Sequence, residues 1–339
     1  MTAAAAPRRA RGRRGVLAVV VAWSLAACGG ETPAAPAAGA AAPRADLATL
    51  RSSLEAEQRR LGLLAGRSFI RRFPEAAVAF ATRSAALARW VADHDALADF
   101  DAASAPAARA RVLEQGETLA GGAPQAAAAA DLVELLAARI ERVYGLQGAI
   151  LDRAGEITRR GGGDAQARVD AWNAGVAVAE QALRRSLEDR LAGKTPAAAP
   201  ADGPAINDAA IAYTNYGTAE TEGETLFKDL DAVAGAAIDV EARRSQLDAR
   251  IAWAERVAAM AKDKLSAGAL AELDRARTFL ASEATALVET ATKAVAAVSP
   301  ARAREASAAW AAAVDPRLEA LTRAFLEPAR AVGLGDPPK

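Results

Sequence analysis

The sequence predicts an all-α protein, a bundle of elongated antiparallel helical hairpins with a break between two helical halves. Three observations predict it. From Arg44 onward the chain is dominated by alanine, leucine, arginine and glutamate, the strong helix formers. Strand signals are scarce: alternation of apolar and polar residues never persists, and aromatic residues make up only 4 %, too few to furnish a strand-rich core. Apolar residues recur instead at steps of three and four over long stretches.

The first segment, residues 1–27, has the three parts of a secretory signal. Arg8, Arg9, Arg11, Arg13 and Arg14 form a basic start without an acidic residue, and an apolar run from Val16 to Ala27 follows. That run is too short to span a bilayer, which needs ~20 apolar residues. It ends in Leu25-Ala26-Ala27-Cys28, which resembles the lipobox of bacterial lipoproteins at all four positions. The resemblance covers about the first thirty residues and carries no information on the fold. It implies cleavage between Ala27 and Cys28, a covalent lipid on the Cys28 thiol, and a membrane anchored through that lipid. Gly29, standing where many such proteins carry a sorting aspartate, implies the outer membrane, facing the periplasm or the surface. Arg13-Arg14-Gly15-Val16-Leu17 is also similar to a twin-arginine export signal, so both export routes stay open.

Cleavage takes five arginines from the 42 basic residues and leaves 37 against 42 acidic ones. A net-acidic mature chain without a basic cluster argues against nucleic acid as a partner. Cys28 is the only cysteine, so one mature chain forms no internal disulfide and its fold stands on packing alone.

Residues 28–43 carry the acylated cysteine and a tether of alanine, proline and glycine, which buries too little side chain to offset ordering. At ~3.1 Å per residue in the polyproline conformation, the tether reaches up to ~45 Å. The first helical region spans 44–193. Pro74, and Ser104 with Pro106, mark helix starts within it. Its clearest element is a hairpin: Ala129, Val133, Leu136, Ile140, Val143, Gln147, Ile150, Ala154 and Ile157 recur at alternating steps of four and three, the seam of an antiparallel coiled arm, with Arg139 on the neighbouring face. Arg159 and Arg160 close the last turn, Gly161 to Gly163 supply a left-handed exit, and Asp164 caps the return helix. That helix repeats the seam with Val169, Trp172, Val176, Ala179 and Leu183 and ends near Leu191.

A second break at 194–204 has the composition of the tether and divides this region from a second one at 205–339. There a helix begins near Ile206, with bends expected at Gly217, Gly223 or Gly235. A separate helix carries Leu247, Ile251, Ala254 and Leu265. Another, capped by Ser266, runs through Leu270, Leu273, Leu280, Leu287, Ala291 and Val298. Ser299-Pro300 and Asp315-Pro316 each pair a capping residue with a first-turn proline and predict two short helices. Trp90, Trp172 and Trp253 are nearly evenly spaced, but their flanks match poorly, so large rings filling gaps in an alanine-rich core explain them better than a repeat.

Catalytic signals are mostly missing. His94 is the only histidine, so both serine–histidine and cysteine–histidine catalysis would depend on it. Asp93-His94-Asp95 resembles a fragment of a metal site, but neighbouring helical residues diverge by ~100° and cannot converge on one ion. A solvated helix face is expected there. A haem held by His94 and Met260 has no support from spacing. No catalytic residue, metal site or cofactor beyond the lipid is expected.

One constellation stands out. Tyr213 and Tyr216 share a helical stripe with Glu220, Glu224 and Phe227 at steps of three, four, four and three. If the stripe faces the bundle, its tyrosine hydroxyls and carboxylates form a pocket for a cation or an amine; if the helix turns at a glycine, the acids sit in water. The expected function is accordingly a lipid-anchored scaffold of the cell envelope that meets a protein partner, or a second copy of itself, through helical faces. Two alternatives are a solute or metal receptor using the Tyr/Glu stripe, and a helical protein that acts on membranes. Charges at regular intervals along every long helix weaken the second of these.

Overall fold

The computed structural model describes residues 46–194 and 207–338, and every described element is helical. The expected cleavage site and acylated Cys28, the tether and all of the second break except Lys194 lie outside the described residues. The fold is an all-α bundle.

Helix α1 (Leu47–Ala65) and α2 (Pro74–Asp95) form the first hairpin, joined through a 3-10 turn at Ser68–Arg72. Arg51 reaches Asp95 at one end and Arg83 reaches Glu57 further along, the crossed pairing of antiparallel neighbours. Helix α3 (Ala105–Gly121) starts at the expected Ser104–Pro106 signal. Helices α4 (Ala123–Arg159) and α5 (Asp164–Leu191) are the hairpin expected from the heptads. Every expected seam residue on both is buried except Gln147, which is half-buried and donates from Nε2 to Asn173 Oδ1 across the hairpin at 2.9 Å. Gly161, at φ +90°, makes the left-handed exit. Asp164 is the first residue of α5 rather than its cap; no side-chain cap bond forms, and its charge favours the helix start only through the dipole.

The second region departs from expectation at two places. Helix α6 (Asp208–Met260) is one unbroken element of 53 residues, capped by Asn207, whose side chain accepts the Ala210 amide. It absorbs the two helices expected there, and none of its glycines breaks it. Gly217 and Gly223 serve close packing instead: a Cβ on them would lie 2.5 Å from the Arg139 guanidinium and 2.5 Å from the Trp172 ring. Leu265 falls after the helix end. Ser266 caps α7 (Ala267–Thr278) as expected, and a π-turn at Phe279–Glu283 carries it into α8 (Ala284–Ala296). Val298 then turns the chain at φ +45°, its side chain fully buried, and Ser299 N–H donates to Ala294 O at 3.1 Å.

Helix α9 (Pro300–Ala331) begins at Ser299-Pro300 as expected, but Pro316 lies inside it and starts nothing. Trp310, Val314, Leu321 and Phe325 are all buried on one stripe, so packing on both sides of the proline outweighs the backbone bond it removes. Arg317 Nη1 also donates to Ala313 O at 2.6 Å in the interrupted turn.

Arginines set the register between parallel neighbours. From α1 to α4, Arg60–Glu134 and Arg67–Glu141 share a sequence offset of 74. From α4 to α6, Arg139–Glu220 and Arg160–Glu241 share an offset of 81. From α6 to α9, Arg243–Asp315 and Arg250–Thr322 share an offset of 72. A constant offset means that the partners advance together, so α1, α4, α6 and α9 run in one direction. Two buried clusters form around this set. The first is built from α1 to α5, α6 as far as Ala237, and a few residues at the α8–α9 turn. The second takes over on α6 at Val240 and includes α7 to α9. The change of core therefore falls inside a helix.

Candidate functional site

The residues of the stripe on α6 do not converge on one site. Tyr213 is exposed, with the Arg139 guanidinium 3.9 Å from its ring centre. Glu220 is only 13 % exposed and is neutralised by two arginines of α4: Arg139 Nη1 donates to Oε2 at 3.1 Å, and Arg142 Nε donates to Oε1. Arg139, expected on the neighbouring face, is thus a packed residue at 23 % side-chain exposure. Glu224 is exposed. Tyr216 is fully buried, and its hydroxyl has no hydrogen-bond partner, which costs ~1–3 kcal/mol. The four residues therefore divide among an arginine clamp, a core position and open surface.

The other candidates noted in the sequence are also placed. His94 packs its ring 5.8 Å from Trp90 and lies 3.3 Å from Asp95, which Arg51 already engages, while Met260 is exposed at the end of α6. Among the described residues, no group of three or more His, Cys, Asp or Glu side chains is placed to hold a metal ion, and no helix is long and apolar enough to cross a membrane. Trp90 and Trp172 occupy matching environments. Each indole donates to a backbone carbonyl at 2.8 Å, Val112 O and Ala219 O, and each lies over the glycine four residues further on, Gly116 and Gly223. Trp253 differs: it donates to Gly335 O and meets Phe325 edge-on.

A polar cavity lies elsewhere, between the 3-10 turn, α4 and α5. A cavity of about 570 Å³ is lined by Ser68, Arg72, Tyr144, Gln147, Asn173 and Glu180, with Phe69, Leu151, Val176 and Ala177 as its apolar lining. Its volume falls in the range of small-molecule sites. The 3-10 turn positions Arg72 by burying Phe69 and Ile70, and Arg184 donates to the Arg72 carbonyl at 2.8 Å. The Arg72 guanidinium lies over the Tyr144 ring at 4.1 Å and donates to Glu180 Oε1 at 2.7 Å. Tyr144 Oη donates to the same Oε1 at 2.8 Å. Burial, then the Glu180 hydrogen bond, pushes the Tyr144 hydroxyl pKa well above its ordinary value. Burial does the same to Tyr216, and the charges that act on its hydroxyl are those of this cluster: Tyr144, Glu180 and Arg72.

The chain matches no family model, no curated protein and no solved structure. The chemistry of the site is thus read from its own residues. The sequence placed Gln147 in the seam of α4 but gave it no role in a site. Arg72 and Glu180 carried no such signal, since they come from segments 108 residues apart.

Proposed function

We propose that the chain is a lipid-anchored scaffold of the bacterial cell envelope, held through Cys28 and presenting rigid helical faces to an envelope protein or a second copy of itself. The observation that carries this reading is α6, whose 53 residues contribute to both buried clusters. At 1.5 Å per residue it is about 80 Å long. A rod of that length, packed at one end against α4 and α5 and at the other against α9, resists bending and holds surface positions at fixed separation. The basic start, apolar run and tetrad ending in Cys28 support the anchor and its address.

The test combines anchoring and contact. A fatty-acid analogue fed to cells should label the wild type and leave Cys28→Ala unlabelled and released from the membrane fraction. Photocrosslinking residues at the exposed apolar positions Leu63, Val78, Leu135 and Val178 should trap one recurrent envelope protein, or the protein itself, from the anchored form only. Equal labelling of the Cys28→Ala protein overturns the anchor. Adducts that are diffuse and independent of anchoring overturn the scaffold.

A further inference from the structure

We propose that the cavity between the 3-10 turn, α4 and α5 is a binding site for a neutral saccharide of one or two rings. It is a separate activity from the scaffold role and uses none of the exposed apolar positions that would test that role.

The charge balance of the cavity decides the class of ligand. Arg72 and Glu180 are its two charged lining residues, and they already neutralise each other at 2.7 Å. A ligand bearing a charge would have to separate that pair or sit beside a like charge, whereas a neutral ligand leaves it intact. The wall is also rich in planar hydrogen-bonding groups. Arg72 and Tyr144 both donate to Glu180 Oε1, so neither bond uses Oε2. Arg72 Nη2 donates to Gln147 Oε1 at 3.4 Å, and a guanidinium can only donate, which fixes the orientation of the Gln147 amide. Gln147 Nε2 then donates to Asn173 Oδ1 at 2.9 Å, so this contact leaves out the Asn173 amide nitrogen. That leaves Glu180 Oε2 as an acceptor, Asn173 Nδ2 as a donor and the Ser68 hydroxyl as either, all on residues that line the cavity.

Adjacent sugar hydroxyls each donate and accept, and they match such an array without net charge. Leu151 and Ala177, both exposed, give an apolar surface for the C–H face of a ring. Asn173 and Glu180 stand seven residues apart on one face of α5, about 10 Å along its axis, a span suited to one or two rings. Gly148 also lines the cavity, and a Cβ there would meet no atom within 4 Å. A larger side chain can therefore be placed there without a clash.

The test uses the purified full-length protein in detergent. Glucose, galactose, N-acetylglucosamine and cellobiose are titrated by calorimetry and by saturation-transfer NMR, with glucuronate and glucosamine as charged counterparts. At least one neutral sugar should bind saturably, and its charged counterpart should bind about tenfold more weakly or not at all. Glu180→Gln should weaken the neutral sugar about tenfold, and Gly148→Leu, which sets a larger side chain in the lining, should weaken it at least as much while the circular dichroism melt stays at least as high as in the wild type. No binding by any neutral sugar overturns the proposal. So does tighter binding of a charged counterpart, or binding that is unchanged in a folded Gly148→Leu protein.

Discussion

The Trp172 indole stands on Gly223, with its N–H bonded to the carbonyl of Ala219 one turn earlier, and a methyl group on that glycine would lie 2.5 Å from the ring. Trp90 repeats the relationship with Gly116 and Val112, where the methyl would lie 2.7 Å from the ring. Alanine usually stabilises a helix interior over glycine by up to ~1 kcal/mol. Here the sign should reverse: Gly223→Ala and Gly116→Ala force an overpacked ring and should each lose ~1–3 kcal/mol in denaturant melts. Gly145→Ala and Gly235→Ala, where the added methyl meets nothing within 4 Å, should gain up to ~1 kcal/mol. Equal effects at all four positions would refute the tryptophan seats.

Ile140 is fully buried on the α4 seam, and Ala138 beside it is exposed. Ile140→Asp buries an unpaired carboxylate and should cost more than ~3 kcal/mol, whereas Ala138→Asp should cost under ~1. Arg139→Asp is a poor surface control because it places a second acid against Glu220. It should be clearly worse than Ala138→Asp when the three are compared by thermal unfolding.

Tyr216→Phe removes a buried hydroxyl without a partner and keeps the ring. The variant should be as stable as the wild type or gain ~1 kcal/mol at neutral pH. A loss above that size would show that the hydroxyl makes a contact in solution.

Alkaline pH tests the same region. The folded hydroxyls of Tyr144 and Tyr216 both hold their protons above the ordinary tyrosine range. The folded state therefore binds more protons than the unfolded chain once pH exceeds the unfolded value of ~10, and stability falls as pH rises, by up to ~1.4 kcal/mol per unit for each group. The Tyr144→Phe, Tyr216→Phe double variant should lose less stability between pH 9.5 and 11 than the wild type. Parallel curves would contradict the burial of both hydroxyls.

Val298 combines a left-handed backbone with a buried side chain. Val298→Ala loses packing and keeps the strained φ, whereas Val298→Gly loses packing and relieves ~1–2 kcal/mol of backbone cost. Glycine should therefore be the milder substitution, the reverse of the order at an ordinary helix site. Chemical denaturation of the two variants decides it.

What could be read from the sequence was what repeats along it. The α4 and α5 seams were legible because each core residue recurs at steps of three and four, and even the half-buried Gln147 sits in phase. Ser266, Pro300 and Gly161 were legible because caps, first-turn prolines and left-handed turns act over a few residues, although the Ser299 side chain forms no cap bond. Long-range demands were not. Gly217 and Gly223 read as bends, yet each is small because a guanidinium or an indole from another helix lies against it. Asp315-Pro316 read as a helix start because the sequence does not show that Val314 and Leu321 are gripped by one core. Glu220 was placed on the right stripe, but its arginine partners lie on α4 and give no local signal. The cluster of Arg72, Tyr144 and Glu180 joins three separate segments and has no spacing signature.

A helix that passes from one core to the next also sets a rule for insertions and deletions. Ala237 belongs to the first buried cluster of α6 and Val240 to the second. One residue inserted between them would rotate everything downstream by about 100° and carry Val295, Val298 and Ala303, which belong to the first cluster, off that core. Seven inserted residues would restore the angle to within about 20° but push the second core some 10 Å along the axis, drawing Glu241 away from Arg160. Length is thus quantised at this point, and variants of this chain should accept substitutions across the junction far more readily than any change in the number of residues.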